Sequence, residues 1–216
     1  MLHLGLPVPA DRPLRVLALG AHPDDIKIGA GGTLIRLLQE RPATELQWVV
    51  LGATPTRAAE ARAGANAIGA AAGKLEIVIG DLPDGRFPAD YDRLKDQVEA
   101  LKAGQPDLVL VPRLEDRHQD HRLLAEVAWQ TFRDHLLWEY EIPKYEGDLG
   151  AANVYVPLTD EHLAAKLAVL NTAFPSQHGR HWFSDETFRA VLRLRGIESN
   201  APAGWAEAFV ARKLVF

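Results

Sequence analysis

The chain has no cysteine and a single methionine among its 216 residues. Disulfides and thiolate metal sites are therefore excluded, and any bound metal has to be held by His, Asp or Glu. The lack of cysteine is compatible with the cytoplasm. No apolar run approaches the ~20 residues of a membrane span. Neither charge is in large excess: the net charge is −5, with no Lys/Arg cluster, which argues against a nucleic-acid surface. The opening residues MLHLGLPVPADRP have no basic stretch and carry Pro and Asp, so a signal peptide is not expected. Repeats, low-complexity tracts and linkers are missing too. With 47% hydrophobic residues, the length suits one domain over residues 1–216. The expectation is a soluble, cytoplasmic protein with neither a membrane nor a nucleic-acid partner, homo-oligomers being left open.

What is present alternates between two textures. LRVLALG (14–20), ELQWVVLG (45–52), KLEIVIG (74–80) and DLVLVP (107–112) are short, rich in branched residues and bounded by Gly or Pro, as strands are. Between them, GGTLIRLLQE, TRAAEARAGANAIGAA and DYDRLKDQVEALKAG read as helices, and HRLLAEVAWQTFRDH adds another after the fourth strand. Alternating strands and helices predict an α/β, Rossmann-like three-layer sandwich with a mostly parallel sheet. Beyond residue 135 the texture changes. LLWEYEIPKYEGDL and NVYVPL look extended, helices are expected around 161–172 and 186–195, and AEAFVARKLVF suggests an edge strand. This last third is expected to form a cap or wall over the sheet.

Ligands of open parallel sheets gather beyond the carboxyl ends of the strands. Two of those ends carry ionisable clusters: AHPDD (21–25) after the first strand and PRLEDRHQDH (112–121) after the fourth. His22 and Asp25 are three residues apart across a proline-fixed turn and can converge on one ion, leaving Asp24 to face its open position. His118 and His121, also three apart, share a helix face, and either completes a two-His, one-carboxylate set. Taken singly, Asp24, Asp25, Asp116 and Asp120 could be helix caps. Asp120 could instead orient an imidazole. The glycines of IGAGG match no phosphate-binding or dinucleotide fingerprint and are better explained by close packing of a helix on the sheet.

GAHPDDIKIGAGGTL together with EDRHQDHR resembles the LmbE-like, or PIG-L, family of metal-dependent N-deacetylases. TRAAEARAGANAIGA, LPDGRF, FPSQHG and AEAF extend the resemblance over most of the chain. It implies His22, Asp25 and His121 as metal ligands, Asp24 as general base, and a charged His118 that stabilises the oxyanion or protonates the leaving amine. Arg57 and Asp84 match positions that contact substrate in relatives. Where the family often has Glu this chain has Lys27, expected to point away from the metal.

The implied substrate is a small N-acetylated amino sugar of the N-acetylglucosamine type, free, glycosidic or nucleotide-linked. Zinc is the default cofactor, and Fe2+ suits the same ligand set. Trp138, Tyr140, Tyr145, Trp182 and Phe183 are candidate pocket walls, with Gln177 and His178 beside them, and part of EYEIPKYEGDL is expected to reach the site. Two alternatives stand: an amidase of the same fold acting on a thiol conjugate or another amide, and a non-catalytic sugar- or nucleotide-binding module.

Overall fold

The computed structural model describes residues 5, 6, 8, 9 and 11–215; residues 1–4, 7 and 10 of the segment expected not to be a signal peptide lie outside them. Its strands are β1 (Arg15–Gly20), β2 (Glu45–Val50), β3 (Lys74–Ile79), β4 (Leu108–Pro112), β5 (Leu136–Tyr140), β6 (Val154–Leu158) and β7 (Trp205–Val210). The helices are α1 (Asp25–Glu40), α2 (Pro55–Gly69), α3 (Tyr91–Ala100), α4 (Gln119–Thr131), α5 (Asp160–Ala173) and α6 (Asp185–Glu198). One seven-stranded sheet runs in the order β3-β2-β1-β4-β5-β7-β6. The first five strands in that order are mutually parallel, and β7 is antiparallel to both β5 and β6.

The expected α/β sandwich is present, with helices on both faces. One apolar cluster joins the sheet to α1, α2, α5 and α6 through residues such as Leu34, Ala65, Leu167 and Leu192. The other joins it to α3 and α4 through Leu94, Val98, Leu124 and Val127. Branched residues of β1 and β4 contribute to both clusters, because successive strand side chains point to opposite faces. Among the described residues no helix is long and apolar enough to cross a membrane.

One expectation is corrected. The strand from AEAFV is not an edge: β7 lies between β5 and β6, because its AEAF residues are buried and need cover on both sides, whereas β6 is only half-buried and forms the edge. The C-terminal third walls one face of the sheet through α5 and α6, which lie with the N-terminal helices, and its β6 and β7 also extend the sheet.

Helix α1 begins at Asp25, six residues before the predicted start, and the glycines of IGAGG lie inside it. A Cβ added to Gly29 would come within 2.2 Å of the Tyr140 ring, so the helix can lie this close to β5 only with glycine there. Gly29→Ala is accordingly expected to destabilise the fold by roughly 1–3 kcal/mol, the usual cost of overpacking, read as a lowered midpoint in urea unfolding. Tyr140 is wholly buried and donates its hydroxyl to the Leu19 carbonyl at 2.5 Å.

The chain order places the site. From β1 the connection through α1 leads to β2 on one side, whereas β4 lies on the other, so the sheet changes winding direction between β1 and β4. The loops leaving these two strands diverge and open a crevice at their carboxyl ends. AHPDD and RLEDRHQDH are those loops.

Candidate metal centre

Three donor atoms converge at this crevice. His22 Nδ1 lies 3.0 Å from His121 Nε2 and 3.8 Å from Asp25 Oδ2, and His121 Nε2 lies 3.4 Å from Asp25 Oδ2. Tetrahedral ligands at zinc distances of about 2.0–2.1 Å sit about 3.3 Å from one another, so this triangle has the right size for one ion. The three side chains fit a divalent metal in chemistry as well as in spacing, two imidazoles and a carboxylate suiting zinc or iron.

Each imidazole is held from behind. His22 Nε2 faces Asp120 Oδ2 at 3.1 Å, and His121 Nδ1 faces Asp116 Oδ2 at 3.0 Å. Carboxylates in these positions fix the tautomer that turns the other ring nitrogen towards a metal. Asp120 is fully buried and also accepts from the backbone N–H of Gly85 (2.6 Å) and Phe87 (3.1 Å). Asp116 accepts the His118 backbone N–H at 2.8 Å. Neither carboxylate is spent as the helix cap. That position belongs to His118, whose Nδ1 accepts the Asp120 N–H at 3.3 Å.

The same holds at the first loop. Asp24 occupies the N-cap position of α1 but accepts no helix N–H, and Asp25 Oδ2 accepts the His22 N–H at 2.8 Å. Asp24 instead meets Arg57, whose Nη2 donates to Oδ1 at 2.7 Å. Burial pushes the Asp24 carboxyl above its ordinary pKa, against the pull of the Arg57 charge. For Asp25 burial acts in the same direction, but the neighbouring His121 and His22 outweigh it and hold the carboxyl well below its usual range.

The ring of His118 lies 4.9 Å from that of His22 and 4.6 Å from that of His121, centroid to centroid. Burial and then the charges of His121 and His22 lower its pKa. Nδ1 accepts a backbone N–H, which leaves Nε2 as the ring nitrogen able to donate.

The proposed substrate contacts behave differently from one another. Arg57 spends its guanidinium on Asp24, Glu60 (3.1 Å) and the Ser176 hydroxyl (3.2 Å), and stacks 5.6 Å from the centre of the Phe174 ring. Its visible role is to partner Asp24. The Asp84 side chain is 80% exposed at the mouth, with Oδ1 3.1 Å from His22 Nε2. Among the candidate wall residues, Tyr140 and Phe183 are core, and Trp138 packs 5.4 Å from Phe209. Gln177 is buried beside Ser176, and His178 meets the Asn171 carbonyl at 3.0 Å. Tyr145 is exposed and lies edge-on to His181.

Lys27 does point away from the metal triangle. It is completely buried, donates to the carbonyls of Pro23 (2.9 Å) and Ala61 (3.0 Å), and lies over Trp48 and Phe174. Burial lowers it to about 7.

Without metal, burial disfavours the charged form of His121, but Asp25 and Asp116 more than compensate and raise it to about 9. Metal needs the neutral ring, so binding at pH 7 has to expel a proton. The apparent affinity is thus expected to rise with pH through the range in which His121 and His22, whose pKa, despite burial, is also raised by its carboxylate neighbours, lose their protons. Calorimetric titration of the metal-free protein in two buffers of different ionisation enthalpy reads the released protons directly.

Comparison with known proteins agrees with this architecture. Residues 17–132, more than half of the chain, match the family model described as PIG-L: GlcNAc-PI de-N-acetylase. The 4-carboxy-2-hydroxymuconate hydratase of Pseudomonas putida superposes with a TM-score of 0.74 at 18% identity, over 94% of this chain and 98% of that one. A conserved protein of Thermus thermophilus gives 0.72 at 25% identity, over 94% and 96%. The N,N'-diacetylchitobiose deacetylase of Pyrococcus horikoshii gives 0.69 at 21%, over 96% and 87%. A hydratase and a deacetylase share this architecture, so the fold alone does not select the chemistry. The family match runs from within β1 to just past α4 and includes both histidine loops, and the chain belongs to the PIG-L family.

Proposed function

We propose that this protein is a metal-dependent N-deacetylase that removes the acetyl group from a small amino sugar of the N-acetylglucosamine type, with the whole chain acting as one catalytic domain. The observation that carries this reading is the convergence of His22 Nδ1, His121 Nε2 and Asp25 Oδ2, with the buried Asp24 on the same turn. The family description, which names a GlcNAc de-N-acetylase, and the chitobiose deacetylase among the similar structures support the acetylated sugar.

His22, Asp25 and His121 would hold zinc, or Fe2+ in its place. A divalent ion bound there supplies Lewis-acid polarisation and brings the pKa of water towards neutrality. Asp24 takes the proton of the attacking water as the new C–O bond forms, its buried carboxylate being a better base than an exposed one. Arg57 holds that carboxylate in place. The neutral His118 offers its Nε2–H to the developing oxyanion. A neutral imidazole is a poor proton donor to an amine, so Asp24 hands the same proton to the departing nitrogen as the C–N bond breaks. Acetate and the free amine leave. Asp84, exposed at the mouth, is placed to meet sugar hydroxyls.

Incubating the protein with zinc and a panel of N-acetylated amino sugars, and measuring free amine and acetate, tests the reading. Equal release of both products from an N-acetylglucosamine derivative is expected. Turnover only of other amides would move the substrate to the amidase alternative. Water addition to a conjugated enol acid without amide cleavage would favour hydratase chemistry, as in the Pseudomonas neighbour.

A further inference from the structure

The segment EYEIPKYEGDL, which begins within β5 and runs on towards β6, brings the Lys144 side chain to the histidine loop. The side chain of Lys144 is 8% exposed, and its Nζ lies 3.0 Å from Asp116 Oδ2 and 2.9 and 2.8 Å from the two oxygens of Asp148. Asp116 Oδ2 is also the oxygen that faces His121 Nδ1 at 3.0 Å. The other oxygen, Oδ1, accepts the His118 N–H. Asp148 Oδ2 accepts the Arg117 N–H at 2.7 Å, so the ammonium sits between two carboxylates that both grip the histidine loop.

We infer that Lys144 is a positioning residue for the metal: it acts through Asp116 to hold the His121 ring in its ligating orientation. The inference rests on the reading of His121 as a ligand. Two donors on one oxygen and a third on the other leave the Asp116 carboxylate no freedom to rotate, so the imidazole it orients is fixed in turn. Without Lys144, Asp116 and Asp148 face each other in a buried site with no cation between them. Asp116 then loses the contact that directs its Oδ2 at His121. A plain structural clamp would need only to tie residues 142–148 to the loop; sharing the oxygen that faces His121 is what links this one to the metal.

Metal affinity reads this role separately from activity. The metal-free wild type and the variants Lys144→Met, Lys144→Arg, Asp116→Asn and Asp116→Asn/Lys144→Met are titrated with zinc against a chromophoric chelator. Lys144→Met is expected to weaken zinc binding roughly tenfold, at the lower end of what loss of a ligand's supporting partner costs. Lys144→Arg, which keeps the charge, is expected to restore most of it. In the Asp116→Asn background Lys144→Met is expected to add nothing, because the route through Asp116 is already cut. Wild-type affinity in Lys144→Met overturns the inference even if its melting temperature falls, as does a further loss in the double variant. If Lys144→Met does not fold, Lys144→Gln takes its place in both backgrounds. A wild type that binds no zinc contradicts the metal site itself, an outcome distinct from failure of the Lys144 role.

Discussion

Asp24→Asn is expected to lower kcat by about a thousandfold, within the range of roughly 10²–10⁴ that a positioned general base contributes, without changing how much metal the protein binds. The asparagine preserves shape and can still accept from Arg57, but it cannot take a proton. Arg57 retains Glu60 and Ser176 as partners, so it is not left unpaired in a buried place. Folding and zinc content should therefore match wild type, and KM should change far less than kcat. Steady-state kinetics and metal analysis on the same preparation check this. Loss of metal together with activity would make Asp24 a ligand rather than a base.

His121→Ala has the second large effect, on the metal itself. It removes one of three donors and leaves Asp25 and His22 with two. Zinc affinity should drop by more than the roughly 10–100-fold expected when a supporting partner such as Asp120 is replaced by Asn. Activity should fall with it and recover only in part at high zinc. His118→Ala should do the reverse, keeping zinc while losing rate, because its Nδ1 serves the helix end and only its Nε2–H faces the reaction. Equal zinc loss in the two variants would mean that His118 is a ligand as well, an arrangement its ring position allows, since nitrogens of His22, His118 and His121 all lie within 4.8 Å of one another.

The first four strands and the two histidine loops were legible because their signals are local. Branched runs ending in Gly or Pro mark strands, and His and Asp at strand ends stand out where a turn would suffice. The same local signal singles out Asp120, whose carboxylate the structure sets 3.1 Å from His22 Nε2. Asp116 could have been found too, since a ligating histidine calls for a carboxylate behind it, but five residues before His121 it also resembles a helix cap. The start of α1 was hidden by glycines, whose low helix propensity masks a helix that needs them in order to pack. The place of β7 inside the sheet depends on β6 pairing outside it, a non-local fact with no sequence signature. Nothing within α2 shows that the Arg57 guanidinium crosses to Asp24, thirty-three residues earlier in the chain. The backbone N–H that the His118 Nδ1 accepts is visible only once α4 is built. The same limit hid the reach of Lys144 to Asp116.

On the proposed reading, one divalent ion held by His22, Asp25 and His121 makes this chain an amide hydrolase. Adding zinc stepwise to the metal-free protein while measuring acetate release from an N-acetylglucosamine derivative tests it most directly. No release is expected without metal, with a rise on adding zinc that saturates at one equivalent per chain. Full activity in the metal-free protein, or none at any zinc concentration, would contradict it.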